Sequence, residues 1–219
     1  MPDLSFSFTG AQGVPHSATP LLALHLHVEE TQGRRIESLS LNCQIRIDAA
    51  RRRYSPHEQG GLLDLFGTID RWGQTLRSLL WTHVNVVVPP FTGTTDVHVD
   101  VPCSTDLCVA AARYFMALDD GTVPLEIHFS GMCFHRDESG ALQVAPVPWS
   151  AEARFGLPVA TWRALIDEHY GDVSWILLRR EVADELHRYR GRHGLPTFDR
   201  AVTALLESAS ESRPEGLAG

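Results

Sequence analysis

Through its first two-thirds the chain alternates apolar and polar residues at the period of half-buried strands. Leu22, Leu24, Leu26 and Val28 alternate with Ala23, His25, His27 and Glu29. Leu39, Leu41, Cys43, Ile45 and Ile47 repeat the pattern against Ser40, Asn42, Gln44 and Arg46. Val84, Val86 and Val88 form a further apolar face. Val97, Val99 and Val101 stand opposite Asp96, His98 and Asp100, and Leu125, Ile127 and Phe129 opposite Glu126, His128 and Ser130. Asp137-Glu138-Ser139-Gly140 reads as a hairpin turn into Leu142-Gln143-Val144. Clean alternation favours antiparallel sheets with one wet face, and a β-sandwich buries many such strands at once.

One helical insertion near residues 56–80 interrupts the strands. Ser55-Pro56-His57-Glu58 is a capping box with proline at the first helical position, and Leu62, Leu63, Leu65 and Phe66 follow before Gly67. Residues 106–118 suit a helix through Leu107, Ala111, Tyr114 and Leu118, with a strand as the alternative.

After Trp149 the period changes. Pro158 opens a helix lined by Val159, Trp162, Ile166 and Tyr170, which Gly171 ends. Trp175, Ile176, Leu177 and Leu178 then suit a short strand. A helix bearing Val182, Leu186 and Tyr189 stops at Gly194, and Thr197 caps a last one with Phe198, Val202, Leu205 and Leu206. The pattern therefore predicts a mainly β protein with an α-helical C-terminal part. Residues 1–150 form an antiparallel β-sandwich with its helical insertion, 151–207 an α-rich segment, and 208–219 a disordered tail rich in Ser, Glu, Pro and Gly.

Composition narrows the chemistry. The 219 residues carry a formal charge of −8, which argues against a broad nucleic-acid or anionic-membrane surface. All 19 basic residues are arginine, so no lysine exists to form a Schiff base or serve a phosphate-binding loop. The opening Met1-Pro2-Asp3-Leu4-Ser5-Phe6 has no basic, apolar leader pattern, and Val84 to Phe91 is too short to span a bilayer. Cys43, Cys103, Cys108 and Cys133 contain no C-x-x-C pair. A cytoplasmic protein with reduced thiols is expected.

Several motifs occur in order along nearly the whole chain: Cys43-Gln44-Ile45-Arg46-Ile47, Arg51-Arg52-Arg53-Tyr54-Ser55-Pro56, Leu80-Trp81-Thr82-His83-Val84, Ala110-Ala111-Ala112-Arg113-Tyr114, Ala117-Leu118-Asp119-Asp120-Gly121 and Phe129-Ser130-Gly131. In these the chain resembles an actinobacterial domain-of-unknown-function family often encoded beside high-affinity nickel–iron hydrogenases and their accessory proteins. That resemblance implies a context but supplies no catalytic residues. Residues 174–206 also resemble the ribbon-helix-helix plan of small repressors. The expected strand, however, has no basic or amide side chain to read bases.

Three candidate sites follow. Arg51, Arg52, Arg53 and Tyr54 make a local basic patch beside an aromatic, suited to a protein partner. His25 and His27 point to one face of a strand, and with His98 on another polar face they form a candidate Zn²⁺ or Ni²⁺ set. Trp175, Ile176, Leu177 and Leu178 form an apolar strand that a second copy can cover in a homodimer. Cys43 and Cys133 lie on apolar faces as core thiols, whereas Cys108 sits near a potential helix start. No hydrolase elbow, Walker or EF-hand motif occurs. The expectation is a non-catalytic accessory or assembly protein without cofactors. Its partner is expected to be a hydrogenase subunit or accessory protein, with no nucleic acid and no membrane. The alternatives are a metal-handling protein using the sheet-face histidines and a small enzyme with an unrecognised site.

Overall fold

The computed structural model describes residues 2–104, 109–137, 139–171, 176 and 178–211. The chain divides into two compact units, Met1–Val173 and Ser174–Gly219.

The first unit is the β-sandwich that the alternation predicts. In chain order its strands begin with β1 (Leu4–Gly13), β2 (Leu21–Glu30) and β3 (Arg35–Ile47). Short helices α1 (Pro56–Gly61), α2 (Leu63–Phe66) and α3 (Trp72–Thr75) follow. Then come β4 (Leu79–Val88), β5 (Phe91–Thr92), β6 (Thr94–Pro102), α4 (Val109–Met116), β7 (Thr122–Arg136), β8 (Leu142–Pro146), β9 (Glu152–Pro158) and α5 (Val159–Tyr170). One sheet has the order β1-β2-β6. The larger has the order β4-β3-β7-β8, with β5 paired to β3 and β9 to β7. Every pairing is antiparallel. Leu22, Leu24, Leu26 and Val28 from one sheet and Leu39, Leu41, Cys43, Ile45 and Ile47 from the other share a single buried core.

The capping box forms as its residues dictate. Ser55 Oγ accepts from the Glu58 N–H, and Glu58 accepts from the Ser55 N–H. The stretch that suited either helix or strand is helical at α4, which buries Ala111, Ala112, Tyr114 and Phe115. Besides the two-residue β5, two strands escape the expectation. In β1, Phe6 and Phe8 stack on Phe129 of β7. In β9, Ala153 and Leu157 are buried and the backbone pairs with β7 from Thr122 to His128. The sandwich therefore runs past residue 150, because β9 completes the larger sheet and α5 then packs against β1 and β2.

The larger sheet needs one special residue. Gly131 of β7 has φ +145°, and a Cβ there would stand 1.9 Å from Ser40 O on β3. Only glycine admits this approach of the two backbones.

Among its described residues the second unit has two helices, α6 (Arg180–Arg192) and α7 (Phe198–Glu211), packed against each other. Thr197 Oγ1 accepts from the Arg200 N–H at the start of α7, the expected cap. The helix continues through residues 208–211, past the expected start of the tail, and the Ser208 and Ser210 hydroxyls donate back to Leu205 O and Glu207 O. Of the expected strand, Trp175 and Leu177 lie outside the described residues. Ile176 and Leu178 are exposed and pair with no strand. Cys108 and residues 212–219 also lie outside the described residues. No described helix is long and apolar enough to cross a membrane.

Candidate interaction face

The antiparallel register of the larger sheet sets outward side chains in rungs running from strand to strand. One rung is Val87 (β4), Ser40 (β3), Met132 (β7) and Pro146 (β8). The next towards the β7–β8 hairpin holds Ser38, Phe134 and Val144, and beyond it Arg136 stands opposite Leu142. On the other side come Asn85, Asn42 and Ser130, with the Asn42 amide donating to Asn85 Oδ1 at 2.9 Å. Then come His83, Gln44, His128 and Glu152, and last Leu80, Arg46, Glu126 and Arg154.

The face is thus graded along its strands. Its far end is mainly charged and self-paired, although Leu80 there is 47% exposed: His128 lies 3.6 Å from Glu126, and Arg154 3.8 Å from both Glu126 and Glu152. Its hairpin end is apolar and open. Val87 is 71% exposed, Met132 48%, Val144 56% and Leu142 56%, and Trp149 beyond β8 is 93% exposed. Single exposed apolar residues are ordinary, but several adjacent ones on ordered strands mark a contact surface. Beside this end lies an open depression of about 760 Å³ lined by Gln32, Arg34, Arg136, Asp137 and Ser139. Arg136 donates to Glu37 Oε1 at 2.9 Å and to Gly140 O at 2.8 Å, which holds its charge at the rim.

The basic patch singled out in the sequence does not form one surface. Arg51 and Arg53 are exposed, but Arg52 turns inward. Its guanidinium donates to Glu58 Oε1 at 2.5 Å, Thr122 O at 2.9 Å and Asp120 O at 2.6 Å. Tyr54 follows it inward, its hydroxyl 2.7 Å from both Ala49 O and Tyr114 Oη. Burial would raise the Glu58 carboxyl, but the N–H groups of Ser55 and Asp119 and the Arg52 guanidinium hold it below the ordinary value. This network ties the helical insertion to the start of β7. Arg52 and Tyr54 are therefore internal fasteners.

The histidines are neighbours in part. His25 and His98 face each other across β2 and β6, their rings stacked with centroids 4.9 Å apart. His27 instead bonds Asp96, with Nδ1 2.8 Å from Oδ1. His25 Nε2 is buried without a hydrogen-bond partner. Among the described residues no group of three His, Cys, Asp or Glu side chains is placed to hold a metal ion.

The two antiparallel sheets with this graded outer face define a β-sandwich protein that carries a helical pair at its C-terminal end. The chain belongs to a family of unknown function, DUF6084, whose model matches residues 1–214. Among solved structures it is similar to the CARDB domain of a Pyrococcus furiosus protein in complex with di-metal ions. That match has 13% identity, covers 72% of this chain and 92% of that one, and has a TM-score of 0.27. It is also similar to the ApaA protein of Bordetella pertussis, with 12% identity over 71% of this chain and 93% of that one and a TM-score of 0.28. No curated protein matches the chain.

The sequence reading missed the apolar end of the face. Its signal lies in parity: Met132 and Val87 occupy positions where their strands otherwise place His83, Asn85, His128 and Ser130 outward, and Leu142, Val144 and Pro146 share one parity of β8. Only the register shows that Met132, Val144 and Leu142 cluster across β7 and β8, with Val87 on the same rung beyond Ser40.

Proposed function

We propose that this chain is a non-catalytic accessory protein that acts in the cytoplasm and binds another protein through the outer face of its larger sheet. One observation carries the reading: Met132, Val144 and Leu142 are exposed on the paired strands β7 and β8 at one end of that face, with Val87 exposed on the same rung across Ser40 of β3. Preformed sheet faces bind with little ordering cost, so apolar rungs there are well placed as an interface centre. The charge beside them defines the occupant. Arg34 and Arg136 lie next to the apolar rungs, which fits a protein segment with apolar side chains followed by an acidic group. The family resemblance supplies the candidate owner of that segment, a nickel–iron hydrogenase subunit or one of its accessory proteins.

A photo-reactive residue tests the reading directly. Placed at Val144, it cross-links to a hydrogenase component added as purified protein. Placed at Arg154, at the charged end, it does not. Equal cross-linking from both positions, or from neither, refutes the assignment.

A further inference from the structure

We infer that α6 is a self-association surface, and that two copies of the chain pair through it, antiparallel, about a two-fold axis. Three observations on this helix converge. Val182, Leu186 and Tyr189 of α6, and His193 at its C-cap with its ring centroid 4.3 Å from that of Tyr189, follow one another at spacings of four, three and four residues, the seam of a helix that packs against another helix. Its contacts with α7 lie along one flank of that seam: Phe198 packs on His187 and under the Arg190 guanidinium, 4.7 Å from the ring centroid. Among the described residues of this pair of helices only Ala201 is buried, and α6 has no buried residue. Helices of 13 and 14 residues are marginal in water without an apolar face covered, so the seam requires an occupant.

Charge identifies that occupant. Glu181, Asp184 and Glu185 outweigh the opening Arg180 in the first half of α6, and Arg188, Arg190 and Arg192 make the second half basic. A helix divided in this way is its own complement when reversed, because each acidic half then meets a basic half. With the axis between Leu186 and Tyr189, Val182 packs against His193 of the second copy and Leu186 against its Tyr189. Glu185 and Arg192 flank the seam on the side away from α7, seven residues apart. The two-fold sets Glu185 against Arg192 of the second copy, and the symmetry makes that contact twice. The pairing places α6 and α7 of both copies in a four-helix bundle about 20 Å long. The inference draws on no residue of the sheet face, so it stands apart from the function proposed above.

Charge exchange in the full chain decides the matter, because Glu185 and Arg192 are exposed and their replacement leaves the fold intact. Sedimentation should show a dimer at micromolar concentration. Glu185→Arg and Arg192→Glu should each weaken it by about tenfold or more, since each turns two attractive contacts into repulsive ones. The double variant should restore the wild-type affinity. A wild-type chain that stays monomeric overturns the inference. So does a dimer indifferent to all three variants, which places the interface elsewhere. Single variants that weaken a dimer without rescue by the double one overturn the antiparallel pairing.

Discussion

Glu58 binds Arg52 through Oε1 at 2.5 Å, and the same oxygen accepts the Asp119 N–H at 3.0 Å while Oε2 accepts the Ser55 N–H at 2.8 Å. One carboxylate therefore caps α1, neutralises a buried guanidinium and holds the turn leading into β7. Both side chains are nearly buried, 9% exposed for Arg52 and 4% for Glu58. Removing either partner leaves the other as an uncompensated buried charge. Arg52→Ala should cost about 3 kcal/mol of unfolding free energy, measured by urea denaturation. A loss below about 1 kcal/mol would show that the pair is solvated.

The same carboxylate sets part of the acid response. Its folded value lies below 4.5, so its contribution is complete above that pH and is lost as pH falls through the folded value. Stability of the wild type should fall on acidification through this window more steeply than that of Glu58→Gln, already destabilised at neutral pH. Parallel pH profiles would remove Glu58 from the account.

Backbone proximity at Gly131 makes a separate prediction. Gly131→Ala places a methyl against Ser40 O and keeps a left-handed φ, so it should cost about 3 kcal/mol or more. Gly73→Ala, with open space around its Cβ position, is the control and should remain near wild type. Equal stabilities would contradict the described pairing of β3 and β7.

Thiol chemistry should follow burial. Burial pushes the Cys43 thiol up to about 12 and that of Cys133 to about 11. Alkylation of the native protein at mildly alkaline pH, read by peptide mass spectrometry, should leave both unmodified, whereas prior unfolding should expose them. Rapid native labelling of Cys43 would mean that the core between the sheets opens readily.

Much of the fold was legible because its strands are one-sided: Leu22 to Val28 and Leu39 to Ile47 declare both period and buried face. Strand β1 carries the same signal in Leu4, Phe6 and Phe8 against Ser5, Ser7 and Thr9. In β9, Gly156 and a length of seven residues blur the alternation. The interaction face was less legible, since a rung joins residues as far apart as Ser40, Val87 and Met132, and register arises only on pairing. Arg52 misled for a related reason. Inside an arginine run it looks solvated, while its acceptors at Asp120 and Thr122 lie 68 and 70 residues away.

The sheet face is tested most directly by binding of purified hydrogenase subunits and accessory proteins to immobilised wild type and to Met132→Asp/Val144→Asp. Both positions are exposed, so each substitution should change stability by no more than about 0.5 kcal/mol. The wild type should retain one of those proteins. The double variant, with an unchanged urea midpoint, should lose it at least about tenfold in affinity. Retention by the folded double variant at wild-type affinity, or no retention by the wild type, would contradict the account.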